Sequence, residues 1–290
     1  MQASPISKIS LDGREFLVKR DDLIDPYLAG NKYRKLYTLL NTPSNTYDTL
    51  ISYGGTQSNA MLALASLCKK KGWKFLYYTK TLSQTQRRGL SGNFAHALAL
   101  GMEHKELDDR LYRDYIASLR LELDERICIV DQGGAVAEAR EGLAVLAQEI
   151  REQKISGAIP KDVNALATPS GTGTTALFLA LALPEYRIYT TPCVGDVAYL
   201  KEQMSALAPL PENLVILAPK KKYHFAKPYR EFIQMYTKLL KSGIEFDLLY
   251  APSMWQTLLE KSDEKVLYVH SGGVSGNESM LQRYSQKGWI

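Results

Sequence analysis

From Thr49 onward the chain alternates short aliphatic, β-branched and aromatic runs with longer helical ones, and glycine marks most of the junctions. Thr49 to Tyr53 predicts a buried strand, followed by Gly54-Gly55 and a helix from Gln57 to Lys71 that Gly72 stops. Lys74 to Tyr78 predicts a second strand, Gly92 to Leu100 a helix, Arg126 to Val130 a strand and Val136 to Glu152 a helix. A second series starts at Val163 to Ala167 and passes through a helix after Thr174. It continues with strands at Tyr186 to Thr190 and Leu214 to Leu217, a helix from Tyr229 to Lys241 and a strand at Lys265 to Val269. Strands that alternate with helices need crossover connections, so parallel sheets flanked by helices are expected. The expected fold class is α/β with two lobes. Residues 46–135 would form a small one, and residues 1–45 with 136–290 a larger one. The stretch from Lys154 to Asp162 separates the two series.

A chain of 290 residues with 45% hydrophobic content supports a real core. Its 36 basic and 31 acidic residues nearly cancel, and Lys69-Lys70-Lys71 and Lys220-Lys221-Lys222 read as solvated charge at a helix end or loop. No nucleic-acid motif accompanies them. Cys68, Cys128 and Cys193 are far apart and odd in number, so reduced thiols and no metal site are expected. The N-terminus lacks the basic-then-apolar order of a secretory signal, and the apolar run Ala176 to Leu183 is too short to cross a bilayer. A cytoplasmic protein with no membrane partner is expected.

Five segments carry chemistry. Lys32 sits between Gly30-Asn31 and a helical run, a setting in which its amine could form a Schiff base with an aldehyde cofactor. Ser170-Gly171-Thr172-Gly173-Thr174-Thr175 leaves a strand and enters an apolar helix, where backbone N–H groups and the helix dipole can hold a phosphate. The same run fits Gly-x-Gly-x-x-Ala, with Ala176 third, but a dinucleotide site needs an acid at the end of the next strand. That position reads Thr190-Thr191-Pro192, and the P-loop lysine is absent, so a monophosphate fits better. Gly54-Gly55-Thr56-Gln57-Ser58-Asn59 has the same layout and suits a carboxylate, although Ser58 or Asn59 could simply cap a helix. Asp247 to Met254 reads as the end of a strand entering a helix with Tyr250 at the junction. His270-Ser271-Gly272-Gly273 could set a hydroxyl against a ring or merely make a turn.

Lys-Arg-Asp-Asp-Leu (19–23), Gly-Asn-Lys-x-Arg-Lys-Leu (30–36), Gly-Gly-x-Gln-Ser-Asn (54–59), Ser-Gly-x-Gly-x-Thr (170–175), Asp-x-x-Tyr-x-x-x-Met (247–254) and His-Ser-Gly-Gly (270–273) occur in one order. That order resembles the pyridoxal-phosphate enzymes grouped as 1-aminocyclopropane-1-carboxylate deaminase and D-cysteine desulfhydrase. Ser91-Gly92-Asn93 and Asp131-Gln132-Gly133-Gly134 extend the match. The resemblance implies a tryptophan-synthase-β-like fold, usually a homodimer, with pyridoxal 5'-phosphate as cofactor and a small amino acid as substrate. It implies that Lys32 forms the Schiff base and moves the α-proton, and that Asn59 contacts the cofactor's phenolic oxygen. Phosphate contacts map to Ser170, Gly171, Thr172, Gly173 and Thr174, with hydroxyls from Ser170, Thr172 and Thr174 and the closest backbone approach from the two glycines. The substrate carboxylate maps to Ser58, Asn59 and Ala60, and Ser58 and Tyr250 become acid/base partners.

Two departures point to the substrate. Where the deaminases carry an acid facing the ring nitrogen, this chain has Ala251; where the desulfhydrases carry a hydroxyl, it has Ser271. A neutral hydroxyl leaves the ring a weaker electron sink, which favours β-elimination from D-cysteine, giving pyruvate and ammonia, over cyclopropane opening. Three rivals remain open: 1-aminocyclopropane-1-carboxylate deamination, a binding protein without turnover, and a nicotinamide-dependent oxidoreductase built on Gly171-x-Gly173-x-x-Ala176.

Overall fold

The chain opens with a hairpin absent from the sequence expectation. Strands β1 (Ile6–Leu11) and β2 (Arg14–Lys19) pair antiparallel across Asp12-Gly13, both at positive φ of 50° and 78°. Asp-Gly is the dipeptide a two-residue hairpin turn demands. The computed structural model describes residues 3–28, 30–88, 91–121, 124–134 and 138–290. Ala29 and the predicted helix start at Val136 lie outside the described residues, as does the 135/136 lobe boundary.

Helices α1 (Asn31–Lys35) and α2 (Tyr37–Asn41) lead to β3 (Thr49–Tyr53), α3 (Asn59–Lys71), β4 (Lys74–Lys80), α4 (Gln84–Arg88), α5 (Gly92–Ala99), β5 (Met102–Leu107), α6 (Tyr112–Ser118) and β6 (Ile127–Val130). These strands form a four-stranded sheet, ordered β5-β4-β3-β6 and parallel throughout. The apolar stripe of α3 (Met61, Leu62, Leu64, Leu67) covers it together with Phe94 of α5.

The chain then runs through α7 (Ala139–Ile155), β7 (Ala165–Ser170), α8 (Thr174–Ala182), β8 (Arg187–Pro192), α9 (Val197–Ser205), β9 (Leu214–Ile216), α10 (Arg230–Lys241), α11 (Ala251–Lys261), β10 (Val266–Val269) and α12 (Asn277–Gln286). The second sheet has six strands in the order β1-β2-β10-β7-β8-β9, parallel except for β1. Leu143, Leu146 and Ile150 of α7 share one core with Leu177 of α8 and Ile188 of β8, whereas Trp255 of α11 stacks on Tyr268, with ring centroids 4.3 Å apart, in the core on the other face. Among the described residues, no helix is long and apolar enough to cross a membrane.

Two expectations need correction. The stretch from Lys154 to Asp162 joins α7 to β7 inside the core of the second sheet, so the chain has crossed between sheets before α7. We therefore propose the division 46–135 against 1–45 with 136–290 on packing rather than on that stretch. No strand precedes Tyr250 either: residues 244–250 join no ladder, because the Leu248 N–H donates to Asn277 Oδ1 (2.7 Å) and those of Leu249 and Tyr250 to Asp247 Oδ1 (3.0 and 2.6 Å).

Candidate active site

The carboxyl ends of β3, β6, β7, β8 and β10 converge from both sheets on one cavity of about 580 Å³. Open parallel sheets place ligand sites at this end of their strands, and the size is that of a small-molecule pocket. Lys32, Ser58, Asn59, Ala60, Ser170, Gly171, Thr172, Gly173, Thr174, Tyr250 and Ser271 all line it.

Lys32 stands on a short helix that cannot hold itself, and tertiary contacts hold it instead. Gly30 has φ of 58°, and a Cβ there would lie 2.0 Å from the Ser271 carbonyl oxygen, which accepts from Asn31 N at 3.2 Å. The loop after β10 is thus clamped to the start of α1. Arg34, 1% exposed, donates to both carboxylate oxygens of Asp21 (2.9 and 2.9 Å) and of Glu149 (2.7 and 2.8 Å). Lys19 donates to Glu149 at 2.8 Å and to the Ser4 carbonyl at 2.7 Å, which completes the buried network. Removing one partner from such a network costs about 3–5 kcal/mol, because it strands a buried charge. A Cβ at Gly142 would sit 1.9 Å from the Arg34 carbonyl oxygen, so α7 touches α1 backbone to backbone. The Lys32 ammonium reaches the Gly133 carbonyl at 3.4 Å, and burial pushes it down to about 8. About a tenth of this amine is therefore uncharged and nucleophilic at pH 7, far more than for an ordinary lysine.

Across the cavity α8 begins without a side-chain cap. Its N-cap, Gly173, has φ of 80°, and a Cβ there would meet Met204 Cε at 2.4 Å and Leu200 Cδ1 at 2.9 Å. The glycine is thus demanded by α9, whereas a Cβ at Gly171 would only touch Tyr250 at 3.4 Å. Two groups to which the motifs gave no role stand here. Thr175 Oγ1 is buried with no partner, and Lys35, 5% exposed, lines the same cavity with no hydrogen bond or ion pair among the described residues. Burial and the neighbouring Lys32 charge hold the Lys35 ammonium well below its ordinary value. An uncapped helix start, an orphaned hydroxyl and an unpaired lysine, which a neighbouring anion would keep charged, fit a phosphate. Lys35 was legible in principle, since i and i+3 share a helix face with Lys32. Ser170 is the weakest of the expected hydroxyl donors. Thr190 donates its proton to the Thr168 carbonyl (2.8 Å), so Ser170 Oγ donates to Thr190 Oγ1 (2.6 Å) and turns lone pairs elsewhere. Thr172 and Thr174 hydroxyls lie 3.0 Å apart, and the pair keeps a proton to offer.

The start of α3 is different. Ser58 is its N-cap and accepts from Met61 N at 3.3 Å, so the simple capping role is realised even though Ser58 also lines the cavity. Its hydroxyl proton is not used in that bond. Asn59 opens the helix and Ala60 is buried beside it. Tyr250 leans on Phe225 (centroids 5.3 Å apart), and burial followed by the Asp247 carboxylate keeps its phenol protonated. Burial pushes Asp247 itself up to about 6 against the pull of the Tyr250 and Leu249 N–H groups. Ala251 packs into the core with Trp255 and does not line the cavity. Of the described residues that line it, none is an aspartate or glutamate, whereas Lys32, Lys35 and Arg283 are cations.

Comparison with known proteins bears on the fold and the family resemblance. A Thermotoga maritima protein named "Putative 1-aminocyclopropane-1-carboxylate deaminase" is 25% identical over 91% of this chain and 90% of its own length. D-cysteine desulfhydrase of Serratia proteamaculans is 25% identical over 93% of this chain and 91% of its own. The chain is similar to proteins named for both enzyme groups over nearly its whole length. No family model matches it. A crystal structure of an ACC deaminase homologue superposes with a TM-score of 0.76 at 22% identity, covering 97% of this chain and 94% of the other. A threonine deaminase from T.th. gives 0.67 at 13% identity, covering 93% and 92%. The fold is thus the tryptophan-synthase-β-like one.

Proposed function

We propose that this relative of the deaminases and desulfhydrases is a pyridoxal-phosphate-dependent lyase acting on a small amino acid. The observation that carries the proposal is the cavity's lining: a desolvated Lys32 amine, a second lysine without an ion-pair partner and an uncapped helix start, with no carboxylate among the described lining residues. Such a lining suits two anions at once, a phosphate and an amino-acid carboxylate. When bound, pyridoxal 5'-phosphate supplies the electron sink that acidifies the substrate's α-proton.

The chain's own groups divide the remaining work. Lys32 would hold the cofactor covalently and carry the α-proton at its amine. Lys35, Thr172, Thr174, Thr175 and the N–H groups opening α8 would hold the phosphate, with Gly171 and Gly173 shaping the turn. Ser58, Asn59 and Ala60 would present the start of α3 to the substrate carboxylate, and Tyr250, kept protonated, would donate a proton to a departing group. Ser271 is the polar side chain that the resemblance sets at the ring nitrogen, and the burial of Ala251 supports the absence of an acid there. On that ground D-cysteine, losing sulfide and yielding pyruvate and ammonia, is the substrate we favour over 1-aminocyclopropane-1-carboxylate. A cytoplasmic homodimer is the setting the resemblance implies, and light scattering would test the assembly.

The test is absorption by the purified protein with pyridoxal phosphate, with pyruvate assayed after addition of each amino acid. A visible band that Lys32→Ala abolishes, with turnover on D-cysteine lowered at least about 1,000-fold, is expected. No band in the wild type would sink the cofactor assignment. A band without product from either amino acid would sink the lyase assignment for both substrates.

A further inference from the structure

Asn93, the second residue of α5, is completely buried and takes part in none of the contacts assigned above to cofactor or substrate. Its side chain nonetheless ties together three segments that reach the cavity from different directions. The amide nitrogen donates to the Gln57 carbonyl at 3.1 Å and to Asn59 Oδ1 at 2.7 Å. Asn93 Oδ1 accepts from the Ser275 hydroxyl at 2.8 Å, and Ser275 belongs to the loop that follows β10 in the other sheet. The backbone is held as well: Asn93 N donates to Gln57 Oε1 at 3.2 Å, and Gln57 Nε2 donates to the Ser91 carbonyl at 3.0 Å.

The direction of these bonds does not depend on which end of an amide is called oxygen. The Gln57 main-chain carbonyl can only accept, so the Asn93 end facing it must be the NH₂. That same NH₂ faces Asn59, so the Asn59 end beside it must be the carbonyl. The remaining end of Asn59 is its NH₂, which lies so close to the loop after β10 that a Cβ at Gly273 would come within 2.6 Å of it. That nitrogen has no hydrogen-bond partner among the described residues, and Asn59 lines the cavity next to Lys32 and Ser271.

We infer that Asn93 is a positioning residue: it turns the Asn59 amide so that Asn59 meets the cofactor's phenolic oxygen with an N–H and not with a carbonyl. The inference rests on the reading that Asn59 contacts that oxygen. An anionic or hydrogen-bond-accepting oxygen is stabilised by an N–H and repelled by a carbonyl, so the rotation decides the sign of the interaction. Ser275 makes the device inter-sheet. Its hydroxyl holds the far end of Asn93, so the amide is set only when the loop after β10 is seated against α5.

Three variants of the pyridoxal-phosphate-loaded protein test this: Asn93→Asp, Ser275→Ala and Asn59→Ala. In Asn93→Asp the new carboxylate would only accept, so Asn59 would turn its NH₂ inward and present its carbonyl to the cavity. The expected result is a shift of the bound cofactor's absorption maximum, and of the pH at which that band titrates, in the same direction as in Asn59→Ala. The value of kcat is expected to fall at least about 10-fold, with KM changed less. Ser275→Ala, which keeps Asn93, is expected to give a smaller shift of the same sign, and it decides the matter if Asn93→Asp does not fold. A shift in Asn59→Ala without one in Asn93→Asp or Ser275→Ala overturns the role of Asn93 alone. An unchanged spectrum in Asn59→Ala overturns the contact of Asn59 itself, and the inference with it. A merely structural Asn93 would lower the melting temperature and leave the spectrum of the folded variant where it was.

Discussion

The starts of α3 and α8 look alike in sequence, a strand followed by glycines, hydroxyl residues and an apolar helix, yet the fold finishes them differently. At α3 the Ser58 hydroxyl accepts from Met61 N, which meets one of the helix's open donors from within. At α8 no side chain caps the helix, Gly173 lies at a left-handed φ where a Cβ would collide with Leu200 and Met204, and Thr175 Oγ1 stays without a partner. A helix start whose donors are already satisfied has less to offer an anion. On the function proposed above, the uncapped start, supported by the unpaired Lys35, would take the dianionic phosphate, and the half-satisfied one would suit a monoanionic carboxylate.

The comparison breaks most completely if no aldehyde can be held between the two helices. Burial lowers Lys32 from 10.5 to about 8, so about a hundredfold or more of additional free amine is present at neutral pH. Trapping of added pyridoxal phosphate by borohydride should therefore rise with pH to a half-maximum near 8, because the amine reacts only when uncharged. A half-maximum near 10.5 would mean that the cavity is wet. Linkage carries the same sign: between about pH 8 and 10.5 the unfolded chain binds more protons at this lysine, so its contribution to stability increases with pH across that window.

Gly173→Ala tests the rigid side of the comparison. The left-handed φ and the collision with Met204 should cost about 2–4 kcal/mol in urea unfolding. Gly55→Ala, at the corresponding turn before α3, meets nothing within 4 Å, and its cost should stay within about 0.5 kcal/mol. Equal costs would remove the contrast. Lys35→Met should raise the dissociation constant of pyridoxal phosphate by about 10- to 100-fold, the worth of a charge-assisted hydrogen bond. Fluorescence titration would show it, and an unchanged constant would move the phosphate away from α8. The smallest effect is expected for Ser58→Ala, about 1 kcal/mol of stability from the lost cap, with cofactor affinity unaltered and KM for the amino acid raised. Weakened cofactor binding in that variant would mean that the two helix starts had been assigned the wrong way round.

Much of the fold was readable because its signals are local. Each strand of the inner parallel ladders is a short apolar run, and Gly72 and Gly243 mark the helix stops. β5 was not readable: Met-Glu-His-Lys-Glu-Leu is an edge strand, mostly half-exposed or exposed, and its charged residues obey no burial pattern. The opening hairpin carried a usable signal in Asp12-Gly13, yet its flanking strands, at the sheet edge and next to it, do not read as a buried run. At the site, the ordered motifs named Lys32, Asn59 and the Ser170–Thr174 run, because a Gly-rich turn and the residue following it are neighbours in the chain.

The sequence by itself therefore determined the alternation of elements, the glycine-bearing turns and the set of residues available for chemistry, all of which depend on neighbours a few positions apart. Only the tertiary structure decided that five strand ends from two sheets meet at one cavity, that Lys35 and Thr175 are among its lining residues with the Thr175 hydroxyl buried and unpaired, and that Ser170 commits its proton to Thr190. Those outcomes depend on which buried donor finds which acceptor across the fold. Arg34 pinned between Asp21 and Glu149 shows the scale of it, with partners 13 and 115 positions away along the chain.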